Sequence, residues 1–227
     1  MISFCTACCN RVDHIKTTYK RNLKVAKDHE FILVNYGDKE GLDDYVKSDL
    51  MEYDNLTYYK TDVKYFHMAK SKNLSHRLAT GDFLFTLDAD TYIGARVVDN
   101  ALECLEGDYF LGPHWSKGMT LGLSSENFYK LGGFDERMEG WGTEDQDLRL
   151  RAQHLGLKYL QMFPQSFSVI DHGNDERVSS FDPRFRKIQN NNIDIYKEHE
   201  KNKTIKVNLN GFEKHEVIKN FKEGFIV

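Results

Sequence analysis

Phe83-Leu84-Phe85-Thr86-Leu87-Asp88-Ala89-Asp90 is a mostly apolar run that ends in two carboxylates. Its first part reads as a buried strand, rich in aromatic and large aliphatic residues. Side chains alternate along a strand, so positions 88 and 90 point the same way. Two hard carboxylates on one side of a strand end suit Mg2+ or Mn2+ carrying a phosphate. The same residues also read as a polar turn leading to a helix cap at Thr91. The rest of the chain decides between these.

Upstream, strand and helix alternate. Ile2 and Phe4 lie in a first strand over Met1 to Thr6, and a helix begins near Asp13 with Ile15, Tyr19 and Leu23 as its apolar stripe. Phe31 to Asn35 is a second strand, followed by a helix around Leu42 to Leu50. Leu56 to Lys60 is a third, followed by a helix over Tyr65 to Ala79 that Gly81 closes. Three such alternations with short connections predict an α/β fold, a mainly parallel sheet with helices on both faces. In such sheets ligands bind beyond the carboxyl ends of the strands. Asn10-Arg11, Asn35 to Asp38 and Asp88 to Asp90 all fall there.

Downstream, the pattern predicts helices over Arg96–Leu105 and Ser125–Leu131, and strands at Tyr109–Leu111 and Met119–Leu123. A further helix starts at Glu144, with Leu148, Ala152 and Leu155 buried. Phe163 to Ile170 reads as extended, 174 to 192 as a polar loop, and Asp194 to Lys201 as a short helix. Residues 1–202 read as one domain, with 203–227 a tail packing on it or on a partner chain.

Composition bounds the function. The 227 residues are 40% hydrophobic and 13% aromatic, which describes a globular chain. A net charge of −4 argues against nucleic acid as the main partner. No apolar run approaches a membrane span, and no leader-like apolar stretch opens the sequence, so a cytoplasmic location is expected. Lys16, Lys20, Lys24 and Lys27 share one helix face. This reads as a solvated face, with peripheral contact to the inner face of a membrane as the alternative. Cys5-x-x-Cys8 lacks a second ligand pair for zinc, and reduced, packed thiols are favoured over a redox pair.

Gly140-Trp141-Gly142-Thr143-Glu144-Asp145 is the second dense stretch. A tryptophan between glycines and just before two acids offers a sugar a ring face and carboxylates for its hydroxyls. The acids also read simply as favourable company for a helix N-terminus. That position is expected to lower the proton affinity of Asp145, weakening it as a ground-state base. His172, between an extended run and Gly173, is a third candidate. With Asp90 it would form an open metal site.

Together these stretches resemble GT-A-fold glycosyltransferases, in particular β-1,4-galactosyltransferase catalytic domains and family 2 and chondroitin-polymerase-type enzymes. Cys9-Asn10-Arg11-Val12-Asp13-His14-Ile15-Lys16 is similar to the family's nucleotide motif, and Asp88-Ala89-Asp90 to its Asp-x-Asp metal motif. Gly140 to Asp145 is similar to its Gly-Trp-Gly-x-Glu-Asp motif. Val169 to His172, with Pro183-Arg184-Phe185 beyond, is similar to its metal-histidine segment and closing loop. The resemblance implies that Arg11 touches the diphosphate and that Ala7, Cys8 and Cys9 lie against the nucleotide. It implies Asp88 at the ribose or metal, Asp90 and His172 as ligands of Mn2+ (or Mg2+), Trp141 and Glu144 on the acceptor, and Asp145 as the base. The family often has a methionine three residues before the metal histidine; here Val169 stands there and cannot ligate.

The implied reaction is metal-dependent, inverting transfer of a hexose or N-acetylhexosamine, galactose type favoured, from a UDP-sugar to a hydroxyl of a glycan or glycolipid. The loop from Gly173 to about Asn190 would close over the donor. The alternatives are a metal-dependent nucleotidyltransferase and a non-catalytic carbohydrate-binding relative.

Overall fold

The computed structural model describes residues 1–113, 120–162, 166–171, 179–185, 190–222 and 224–227. The strands are β1 (Ile2–Cys8), β2 (Glu30–Tyr36), β3 (Leu56–Thr61), β4 (Phe83–Thr86), β5 (Thr91–Ile93), β6 (Tyr109–Gly112), β7 (Gly122–Ser124), β8 (Lys158–Gln161), β9 (Phe167–Val169), β10 (Glu216–Lys219) and β11 (Gly224–Ile226). The helices are α1 (Val12–Val25), α2 (Leu42–Tyr45), α3 (Met68–Arg77), α4 (Arg96–Leu105), α5 (Ser125–Leu131), α6 (Glu144–His154) and α7 (Asn190–Asn202).

One mixed sheet runs β11-β10-β3-β2-β1-β4-β7-β6-β8. Its centre, β3-β2-β1-β4, is parallel, while β7 and β10 join antiparallel. The expected mixed, mainly parallel α/β sheet is what forms. Alternation sorts its residues: Ile2, Phe4, Phe31, Leu33, Phe83 and Phe85 face α1, α2 and α4. Cys5 and Leu84 face α3, α5 and α6, and Ile32 and Val34 pack on α3. The central strands are buried on both faces, which explains their unbroken apolar runs. The chain leaves β1 towards β2 and β3, then returns through α3 to β4 on the other side of β1. The sheet thus has its switch point at the carboxyl ends of β1 and β4, where such folds open a crevice.

Several bounds differ from expectation. Leu42 to Leu50 is not one regular helix: α2 passes into a wider turn at Val46–Leu50, where the Met51 N–H reaches the Val46 carbonyl. Thr91 caps no helix; it begins β5, which pairs with β9. The 190–202 helix starts earlier than Asp194 because Asn192 turns inward to bond the 139–142 loop. The tail is not merely packed on the domain: β10 pairs with β3, and β11 continues that edge. Among the described residues, no helix is long and apolar enough to cross a membrane.

Candidate active site

The carboxyl ends of β1 and β4, the start of α3 and the loop before α6 enclose a cavity of about 540 Å3. Ala7, Cys9, Arg11, Asp88, Asp90, Trp141, Glu144 and Asp145 all line it. Eight of the ten sequence-predicted residues therefore meet at one place. His172 lies outside the described residues. Cys8 does not reach the cavity: strand alternation turns it to the opposite side of β1, into the core with Val12 and Ile15. This corrects its expected contact with the nucleotide. Alternation also separates Cys5 from Cys8 across the sheet, so the pair is no dithiol. Burial pushes both thiols up, and Cys9 to about 11.

The Asp88-Ala89-Asp90 turn is held from behind by α1. Thr18 Oγ1 donates to the Ala89 carbonyl at 2.8 Å. Asn22 Nδ2 donates to the Thr91 carbonyl at 2.8 Å, and Asn22 Oδ1 accepts from the Ile93 N–H at 3.0 Å. With its backbone fixed from α1, the turn presents both carboxylates to the cavity, Asp88 exposed and Asp90 half-buried. The Ile170 N–H donates to the Asp90 carbonyl at 2.9 Å, which anchors β9 beside the turn and puts Val169 in the wall. Two hard carboxylates on one turn fit Mn2+ or Mg2+ in donor chemistry. Among the described residues they have no third His, Cys, Asp or Glu to complete a set.

On the β1 side, Asn10 serves the backbone. Its φ is +53°, its N–H donates to Asp38 Oδ1 at 2.8 Å, and its side-chain oxygen accepts from the Lys39 N–H at 2.9 Å. The turn it makes delivers Arg11 to the cavity wall. Ser180 lines the same wall, accepting from Asn10 Nδ2 at 3.2 Å, while Phe181 is buried against Phe66. Of the proposed closing loop, 173–178 and 186–189 lie outside the described residues; 179–185 rests on the end of β1 through Ser180 and on Phe66.

The wall that carries Trp141 is a loop with left-handed residues, Gly140 at φ +72°, Gly142 at +99° and Thr143 at +80°. Threonine there is strained, a condition that persists only where surroundings impose it. Here Asn192 Nδ2 bonds both the Glu139 and Gly142 carbonyls at 2.9 Å. At Gly140 a Cβ would sit 2.5 Å from the Phe185 carbonyl oxygen. Gly140→Ala is therefore expected to lose about 1–3 kcal/mol, read as a lower urea midpoint. An unchanged midpoint would contradict this.

Glu144 and Asp145 open α6, and sequence reasoning missed their partner. Lys72 on α3 donates to Glu144 Oε1 at 3.0 Å and to Asp145 Oδ1 at 2.7 Å. Its helix gave no signal, because the acids lie 72 and 73 positions away. The expected lowering of Asp145 by the helix terminus is overturned. Burial raises its proton affinity well above the usual carboxylate range, and Glu144 and Asp88 raise it further against the pull of Lys72. Thr86, also in the wall, sits 3.1 Å from His76 Nε2, whose ring burial holds neutral with its pKa lowered to about 4.

Comparison with known proteins agrees with this geometry. The family described as N-terminal domain of galactosyltransferase matches residues 113–175. Human β-1,4-galactosyltransferase 4 is 36% identical over 61 residues, 26% of this chain and 18% of that protein, so the match spans under a fifth of the relative's length. The catalytic domain of Drosophila β-1,4-galactosyltransferase 7, solved with xylobiose, superposes with a TM-score of 0.58 at 17% identity, over 95% of this chain and 87% of that one. The mannosyltransferase PcManGT from Pyrobaculum calidifontis, solved with GDP-Man and Mn2+, gives 0.60 at 16% identity, over 72% and 55%. These likenesses show a GT-A fold. The description Glycosyl transferase family 2 matches residues 3–118, half of the sequence, and the chain belongs to that family.

Proposed function

We propose that this protein transfers a hexose or N-acetylhexosamine, galactose type favoured, from a UDP-sugar to a hydroxyl of a glycan or glycolipid acceptor, with inversion. The observation that carries the reading is that the three motifs, far apart in sequence, line one cavity. Arg11, Ala7 and Cys9 come from the end of β1, Asp88 and Asp90 from the turn after β4, and Trp141, Glu144 and Asp145 from the loop before α6 and its first residues. Nucleotide sugars are donors of this chemistry, and GDP-Man is bound by the archaeal structural neighbour.

The roles follow from chemistry. Arg11 offers a fixed cationic fork to the donor diphosphate. The Trp141 ring takes the acceptor sugar's face, and Glu144 takes its hydroxyls. Asp145 receives the proton of the attacking hydroxyl. That oxygen bonds to the anomeric carbon from the side opposite the diphosphate, the bond to the diphosphate breaks, and a nucleoside diphosphate leaves. Asp90 and His172 would hold Mn2+ or Mg2+, with Asp88 at the ribose or the same ion. Held there, such an ion would supply positive charge to offset that of the leaving diphosphate.

The test is a panel of nucleotide sugars with Mn2+ and oligosaccharide acceptors, scored by nucleoside diphosphate release. Acceptor-dependent release from a UDP-sugar is expected, and EDTA is expected to abolish it, with recovery on adding Mn2+. Release of pyrophosphate would instead mark a nucleotidyltransferase, and neither transfer nor donor hydrolysis would mark a binding protein. Full activity in EDTA would remove the metal role of Asp90 and His172.

A further inference from the structure

Lys72 is a charged group that the reaction above leaves without a task. Its side chain is 7% exposed, it lines the cavity, and its ammonium spans the first two residues of α6. The Phe134 ring lies 5.2 Å from Nζ and covers it. Buried ion pairs are weak devices for stability, because desolvation consumes most of the attraction. A lysine shared by two acids in a cavity wall is better explained by what it does to those acids.

Resting on the transferase reading, we propose that Lys72 is the positioning residue of the base: its ammonium takes one oxygen of Asp145, keeps the group a carboxylate and leaves the other oxygen for the acceptor hydroxyl. Three groups act on Asp145 here: Lys72 from α3, Glu144 beside it on α6, and Asp88 from the turn after β4. Two of the three are acids, and burial acts in the same direction, so removing Lys72 would raise the proton affinity of Asp145 further. A protonated carboxyl accepts nothing from an attacking hydroxyl. Lys72 itself remains an ammonium. Burial alone would lower its proton affinity, but Asp145, Glu144 and Asp88 together raise it above the ordinary value. Asp145 Oδ1 is engaged by Nζ at 2.7 Å, and among the described residues no donor reaches its second oxygen. The lysine therefore assigns the two oxygens different work. The diphosphate that Arg11 binds enters the same cavity, so Lys72 also has a second anion within its surroundings once the donor is present.

The experiment compares Lys72→Met and Lys72→Arg with the wild type by two readouts. The first is the 13Cγ titration of Asp145, assigned with Asp145→Asn, which needs no turnover. The second is the acid limb of kcat/KM for transfer. In Lys72→Met both midpoints are expected to rise by about one pH unit or more, a tenfold gain in proton affinity. In Lys72→Arg both are expected to stay near wild type. An unchanged carbon midpoint in Lys72→Met, with only a lower urea midpoint, would leave the lysine a structural ion pair and overturn the proposal. If Lys72→Met does not fold, Lys72→Gln provides the same contrast. A wild type that transfers no sugar would overturn the transferase reading, while the carbon titration would still decide the role of Lys72.

Discussion

Asp145→Asn is expected to lower kcat for sugar transfer about 10²–10⁴-fold, the range that a positioned general base contributes. The amide matches the carboxylate in shape and keeps an oxygen for the Lys72 ammonium at the 2.7 Å position. It cannot take a proton from the acceptor. Nucleotide binding is expected to persist, because Arg11, Asp88 and Asp90, at the ends of β1 and β4, are left unchanged. The pH dependence carries a sign. A general base works in its ionised form, and burial, Glu144 and Asp88 raise the proton affinity of Asp145 against the pull of Lys72. The rate should therefore fall on the acid side with a midpoint above the ~4 of an ordinary aspartate, and Asp145→Asn should lose that limb. Steady-state nucleoside diphosphate release, alongside calorimetric titration with UDP, separates catalysis from binding. Turnover near wild type would remove Asp145 as the base.

What the sequence made legible was whatever depends on local order. The strand-helix alternation and the apolar stripe of α1 are local patterns, and α4 and α5 begin and end where their patterns do. The polar stretches that line the cavity were legible too, because Asp88-Ala89-Asp90 and Gly140 to Asp145 each hold their carboxylates within a few residues. Charge relations across the fold were not. Placing Asp145 at a helix start predicted a lowered proton affinity, yet the site buries it beside two other acids, and desolvation outweighs the macrodipole. Lys72 could be paired only after α3 and α6 were packed together. For Cys8 the resemblance implied a place against the nucleotide, with the first strand read as ending at Thr6. The strand continues through it, and alternation sends its thiol to the core.

The same limit hid the group that fixes α6. Arg151 is fully buried, four residues after Asp147 on α6, and donates to Asp147 Oδ2 at 2.7 Å. Its guanidinium also donates to the Leu131 carbonyl at 2.8 Å and the Gly133 carbonyl at 2.7 Å. These carbonyls belong to the left-handed turn that ends α5 at Gly132 and Gly133, so one side chain ties two helices together. Asp147 is shared in turn with His199 of α7, at 2.6 Å. Arg151→Met keeps much of the volume but removes the charge and the donors. It leaves a buried carboxylate without its guanidinium and two carbonyls without these donors. Breaking a buried pair from one side costs about 3–5 kcal/mol, and that loss of unfolding free energy is expected, with an unchanged urea m-value. Asp145 shares the first turn of α6 with Asp147 and is met there by Lys72 of α3, so kcat should fall with the displacement of that helix while donor binding through Arg11 changes little. The double variant Arg151→Met/Asp147→Leu removes the stranded charge and should recover part of the loss. A loss under about 1 kcal/mol in Arg151→Met would show that water replaces the guanidinium, and that α6 is held by its apolar face of Leu148 and Ala152 instead.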